Sequence, residues 1–274
     1  MAPWYGKQMS KLPQIQIGNV SKIFSADGRE VVALDNINLD IQSGEFICLL
    51  GPSGCGKSTL LNAIAGFSAA TSGTITVEGK SVLAPGPDRG MVFQEYALFP
   101  WMTVEKNIAF GLEIKKLPKT QIKEKVDVLL NMLNLQDFRE RYPKDLSGGM
   151  RQRVAIARVL ALDSPIMLMD EPFGALDSLT RRNLQDELLR IWTEFKKTII
   201  FVTHSIEESI YLADRIVVMT YRPGKIKKEV VVAMPRQRDP SSVEFNELKK
   251  ELSLLVMEEQ SRSNQAQIKA STTD

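Results

Sequence analysis

Phe46-Ile47-Cys48-Leu49-Leu50-Gly51-Pro52-Ser53-Gly54-Cys55-Gly56-Lys57-Ser58-Thr59-Leu60-Leu61-Asn62-Ala63-Ile64-Ala65-Gly66 joins an apolar run, a glycine-rich turn and a second apolar run. The five residues before Gly51 read as a buried strand, and those after Gly56 as a helix. Gly51, Gly54 and Gly56 let the backbone turn tightly and aim its amides inward, where the following helix adds its positive end. Gly51, Pro52, Ser53, Gly54, Cys55, Gly56, Lys57, Ser58 and Thr59 thus form a cradle for a polyphosphate. Lys57 supplies a point charge to the β and γ phosphates, and the Ser58 hydroxyl completes the shell of a Mg²⁺ ion. The match to G-x-x-x-x-G-K-[ST] is complete, and the flanking strand and helix are the context that separates it from a chance loop.

On either side of this stretch the chain alternates between strand and helix patterns. Ile15 to Phe24 and Ala33 to Ile41 alternate apolar and polar around a turn at Asp27-Gly28, predicting an antiparallel region ahead of the phosphate strand. Phe24 is placed either to stack on a purine or to sit as a solvent-edge or core residue. Gly73 to Gly79 and Arg89 to Gln94 read as further strands, the second delivering Gln94 to a cluster of large apolar residues, Tyr96 to Trp101, dense enough to predict a partner surface. Helical spacing from 103 to about 140 breaks near Pro118. Beyond it, Ser147 caps a helix opened by Gly148 and Gly149, a second place where backbone amides would greet an anion.

Ile166 to Met169 is too apolar for a half-exposed strand, and it closes on two carboxylates, Asp170 and Glu171. Neighbours on a strand point to opposite sides, so the two have separate tasks: Asp170 facing the Mg²⁺ held by Ser58, and Glu171 orienting and deprotonating a water. An amphipathic helix over 178–195 leads to a buried strand, Thr198 to Thr203, which delivers His204, the single histidine of the chain. A lone histidine is most often a satisfied core or surface residue, but the carboxyl end of a parallel strand is where such sheets bind ligands. There its imidazole would reach a γ-phosphate oxygen. An edge strand over 225–234 and a terminal amphipathic helix over 243–257 complete the pattern.

Lys and Arg total 35 against 33 Asp and Glu, a net charge of +2, so no broadly basic face points to nucleic acid. No apolar run reaches the roughly 18 to 20 residues of a membrane helix, and the first residues lack a signal peptide's apolar core. Two cysteines, Cys48 and Cys55, are too few for a disulfide framework or a metal site. Cys55 reads as a small filler of the loop, and bound nucleotide would shield its thiol from alkylation.

Taken together, Gly51 to Thr59, Gln94, Leu146-Ser147-Gly148-Gly149-Met150, Asp170-Glu171, Ala175-Leu176-Asp177 and His204 resemble the nucleotide-binding subunits of ABC transporters over about residues 15 to 235. The resemblance implies an α/β P-loop NTPase fold, with a mixed sheet, an antiparallel β subdomain and an α-helical signature subdomain at about 100–160. It implies ATP and Mg²⁺ as cofactors, and a head-to-tail dimer, homo- or heteromeric, in which Ser147 and Gly149 of one subunit cap ATP held by Lys57 and Ser58 of the other. Gln94 then senses Mg²⁺ and the membrane partner, Asp177 lines the dimer contact, His204 clamps the γ-phosphate, and Phe24 takes the adenine-stacking place. Permease subunits would dock near Tyr96 to Trp101 at the cytoplasmic face of the membrane, with a solute-binding protein engaged indirectly.

Finer wording, Pro87 to Gln94, Phe99-Pro100-Trp101 and Thr203 to Glu208, is similar to the nitrate, sulfonate, taurine and bicarbonate importer group, with nitrate the first expectation for the solute. Two other classes would leave different marks in the sequence. A soluble ABC ATPase acting on nucleic acid would fuse two such domains or insert long arms, and a GTPase would carry Asn-Lys-x-Asp; neither feature is present. The expected organisation is a flexible segment over 1–14, the ATPase domain over 15–240, a terminal helix over 241–260 and a disordered tail over 261–274.

Overall fold

Alternating apolar residues give the first sheet one buried face. β1 (Ile15–Ala26) and β2 (Arg29–Ile41) pair antiparallel, Ile15 opposite Ile41 and Ile17 opposite Leu39, and β4 (Ser72–Val77) and β5 (Lys80–Ser81) extend the sheet in the order β2-β1-β4-β5. The computed structural model describes residues 12–26 and 29–271, so the expected Asp27-Gly28 turn and most of the expected lead-in lie outside the described residues. β1 runs two residues beyond Phe24, which therefore sits within the strand.

The second sheet has the order β10-β9-β3-β8-β7-β6, built from β3 (Phe46–Leu50), β6 (Arg89–Val92), β7 (Ile166–Asp170), β8 (Thr198–Thr203), β9 (Arg215–Met219) and β10 (Ile226–Val231). All neighbours are parallel except β10 on β9. β3 and β8 are buried at every position, the pattern of strands covered on both faces. Period-two alternation splits their side chains between two cores. Ile47, Leu49, Leu168, Ile200 and Val202 join α1 (Lys57–Ala65) and the antiparallel sheet. Phe46, Cys48, Met169 and Phe201 join the helices of the opposite face, α2 (Val104–Ile114), α3 (Lys119–Met132), α4 (Gly148–Ala161), α5 (Ser178–Phe195) and α6 (Ile206–Leu212).

Two expectations need correction. β6 stops at Val92, because the chain turns away through Tyr96 and Ala97 with φ of 62° and 48°, so Gln94 lies beyond the strand. The terminal helix α7 (Val243–Ser271) does not end near residue 257, and the stretch expected to be disordered is helical through Ser271. The reason is an anchor that its polarity concealed. Glu259 is fully buried and accepts hydrogen bonds from Lys227 Nζ at 2.7 Å and from the Tyr221 amide at 2.9 Å. Ser263 is buried one turn further on. Among the described residues no helix is long and apolar enough to cross a membrane.

Candidate nucleotide site

The phosphate loop links β3 to α1, and its shape depends on Gly56, whose φ is +96° and at which a β-carbon would lie 2.8 Å from Leu34 Cδ2. Only glycine accepts both conditions. Lys57, almost wholly buried, donates from Nζ to the carbonyl oxygens of Gly51 at 2.8 Å and Pro52 at 3.0 Å. A phosphate oxygen would compete with these neutral acceptors on favourable terms, since charge-assisted bonds are about twice as strong. The Cys55 side chain is fully buried, with its Sγ 3.8 Å from Lys57 Nζ. Burial pushes its thiol pKa up, opposed by the Lys57 charge, so burial alone is expected to slow its alkylation.

Ser58 Oγ donates to Asp170 Oδ1 at 2.8 Å. This pairing follows from strand alternation: Asp170 shares a sheet face with Ile166 and Leu168, the face on which α1 packs. Burial raises the Asp170 pKa, partly offset by the Ser58 hydrogen bond. A hydroxyl and one carboxylate converging below a phosphate loop fit Mg²⁺, which takes one or two protein oxygens and completes its octahedron with phosphates and water. In agreement with that sparse donor set, no group of three or more His, Cys, Asp or Glu is arranged for a metal among the described residues.

Glu171 follows in the left-handed region, φ +42°. Strain of this kind costs on the order of 1–3 kcal/mol and clusters at functional sites. Its Oε2 lies 3.0 Å from His204 Nδ1, with the imidazole 60 % exposed and the carboxylate 18 %. The backbone around His204 is fixed on both sides. Thr203 Oγ1 donates to Glu208 Oε2 at 2.5 Å and accepts the Ser205 amide at 3.0 Å, while Ser205 Oγ accepts the Glu208 amide at 3.3 Å. Gln185 Nε2 of α5 donates to the other Glu208 oxygen at 3.0 Å. Burial pushes the Glu208 pKa up.

Lys57, Ser58 and Glu171 border a cleft of about 270 Å³, lined also by Phe24, Ser53 and Thr59, while Asp170 and His204 do not line it. Phe24 is 46 % exposed, with Lys22 Nζ 5.1 Å from its ring centroid, so it is not a core residue. Gln94 is exposed; its amide nitrogen lies 3.8 Å from the β-carbon position of Gly174, and it does not line the cleft. Ser147, Gly148, Gly149 and Asp177 lie outside it too. Ser147 Oγ caps α4 by accepting the Met150 amide at 3.3 Å, and exposed Asp177 caps α5 by accepting the Thr180 amide at 3.0 Å, which holds its pKa below the usual value. The two caps are neighbours: a β-carbon at Gly149 would lie 2.7 Å from Thr180 Cγ2.

Sequence reasoning missed Arg222 and Gly224. Arg222 lines the cleft and donates from Nε to the Gly54 carbonyl at 3.2 Å. Gly224 exchanges backbone hydrogen bonds with Ala33 and Asp35 at 3.0 Å, and a β-carbon there would come within 2.3 Å of the Cys55 carbonyl oxygen. The available signal was position: Tyr221-Arg222-Pro223-Gly224 leaves the carboxyl end of a strand adjacent to the phosphate strand.

The phosphate loop, the paired Ser58 and Asp170 and the sheet order define a P-loop ATPase. Residues 34–174 match the ABC transporter family, and the chain belongs to it as an ATP-hydrolysing domain coupled to transport. More particularly, it is similar to import ATPases of the nitrate and sulfonate group. It is 48 % identical to an aliphatic sulfonates import ATP-binding protein of Bacillus cereus, covering 87 % of this chain and 94 % of that one. It is 45 % identical to the nitrate import ATP-binding protein of a Synechocystis strain, covering 86 % and 89 %. Among solved structures, a dimeric post-hydrolysis state of an ATP-binding cassette bound to ADP and Pi superposes with a TM-score of 0.72 at 32 % identity, covering 81 % of this chain and all of that one.

Proposed function

We propose that this chain binds ATP in the 270 Å³ cleft and hydrolyses it to drive uptake of a small anion, nitrate, through permease subunits on whose cytoplasmic face it sits. The observation that carries the reading is the convergence on one cleft of Lys57, Ser58 and Glu171, the last two hydrogen-bonded to Asp170 and His204 behind its wall. Lys57 holds the terminal phosphates. Mg²⁺, when bound, would neutralise developing phosphate charge, with Ser58 and Asp170 as its protein oxygens. Glu171 orients a water and accepts its proton, while His204, steadied by Thr203 and Glu208, contacts the γ-phosphate. The base stacks on Phe24.

Ser147, Gly148, Gly149 and Asp177 serve a second subunit's nucleotide, in a homo- or heterodimer. The exposure of Ser147 and Asp177, and the place of all four away from their own cleft, support this, as does the dimeric state of the related cassette. Tyr96 to Trp101 forms the permease contact: Trp101 is 70 % exposed and leans on Phe99, whose ring carries Arg158 at 4.6 Å. A solute-binding protein takes part through the permease.

Aliphatic sulfonate is the second reading, favoured by the higher identity of that relative. Reconstitution with permease and binding protein, followed by ATPase assays with nitrate or an alkanesulfonate, tests both. Stimulation by nitrate alone supports the first reading, and stimulation by the sulfonate alone replaces it with the second. A chain that binds no ATP overturns both.

A further inference from the structure

Next to the nucleotide cleft lies a larger hollow of about 580 Å³, between the Thr220–Lys225 segment and α7. Among the described residues three cationic side chains line it, Arg222, Lys225 and Arg262, and no carboxylate does. Tyr221, Pro223 and Ala266 add apolar wall. Two of the cations have partners that leave them available. Lys225 pairs with Asp35 at 2.7 Å, but both side chains are substantially exposed, and such pairs contribute roughly 0–1 kcal/mol. Arg262 leans on Glu259 at 3.2 Å while remaining 65 % exposed, and that carboxylate already serves Lys227 and the Tyr221 amide. Arg222 forms no ion pair with a carboxylate among the described residues.

We propose that this hollow is a binding site for a small organic molecule carrying two or more phosphate groups, and that Arg222 reports its occupancy to the phosphate loop. The volume suits a small metabolite and exceeds what a single nitrate or sulfate ion would fill. Separated guanidinium and ammonium groups match separated phosphates, and guanidinium is the bidentate partner for them.

The link to ATP is a shared side chain: Arg222 lines both hollow and cleft, and its Nε is bonded to Gly54 of the loop. A ligand that draws the guanidinium into the hollow removes positive charge from the nucleotide cleft, so its binding weakens ATP. By reciprocity, ATP weakens the ligand to the same degree. The far end of the hollow is set by α7 through Glu259, so the terminal helix becomes part of a control site. This inference rests on the cleft being the ATP site.

The test measures ATP affinity of the full chain with and without saturating fructose 1,6-bisphosphate as probe, in the native chain and in Arg262→Glu and Arg262→Lys. The expected result is a loss of ATP affinity of about 5-fold or more in the native chain, the lower end of usual coupling. The loss should vanish in Arg262→Glu and be retained in Arg262→Lys, with both variants keeping native affinity when no probe is present. No effect of the probe on the native chain overturns the proposal. So does an equal effect in Arg262→Glu, which would place the probe in the phosphate loop itself. Failure of ATP to bind without probe instead refutes the nucleotide reading and, with it, the premise.

Discussion

Asp170 is held at a cost. Because burial raises its folded-state pKa, its contribution to stability is full below the ordinary aspartate value and is lost as pH rises through the raised one. Asp170→Asn is therefore expected to raise the melting temperature of the nucleotide-free protein at pH 7, a gain that disappears in acid, while abolishing Mg²⁺-dependent ATPase activity. A melting temperature that falls at pH 7 would contradict the burial argument. Glu171→Gln keeps shape and loses the base, so turnover should drop about 10²- to 10⁴-fold with ATP affinity preserved, as read by single-turnover hydrolysis and nucleotide titration. Cys55 is buried with its thiol pKa raised, so its alkylation at pH 8 should be slow and insensitive to ATP. Rapid, ATP-protected labelling would show that the loop opens.

At the scale of the element, the segment after β9 behaves as a strap over the phosphate loop. Gly224→Ala forces a β-carbon toward the Cys55 carbonyl, where neither backbone can yield freely. It should cost on the order of 2 kcal/mol or more and weaken ATP binding together with stability. Denaturant melts beside nucleotide titrations would separate this from a purely local loss. Ser147→Ala removes the α4 cap, worth about 1 kcal/mol, and leaves ATP binding to a single chain intact. On the dimeric reading, its ATPase activity falls much further than its stability.

The elements themselves were largely legible in the sequence. β3, β7 and β8 announce themselves as unbroken apolar runs, and the helices after Gly56, Ser147 and Asp177 by their first residues. Three things were not. Gln94 reads as strand in the sequence because the turn at Tyr96 and Ala97 uses positive φ without glycine. The end of α7 looked polar because its anchor, Glu259, is a buried charge with distant partners. Arg222 carried no motif, since its contact with Gly54 spans 168 residues.

For the molecule as a whole, the second sheet separates two cores. Ile64 packs with the antiparallel sheet on one face, and Leu130 with the helical subdomain on the other. Ile64→Ala and Leu130→Ala should each cost about 2–5 kcal/mol, and residues this far apart with no shared partner should add within about 0.5 kcal/mol in the double variant. Urea melts of the three variants would reveal any coupling.

The same partition has a consequence for how the protein can be altered. The phosphate loop draws its support from one side of the wall, and the cap at Ser147 from the other. The grip on a nucleotide and the fit between neighbouring copies are therefore separate dials, each adjustable by repacking its own compartment without retuning the other.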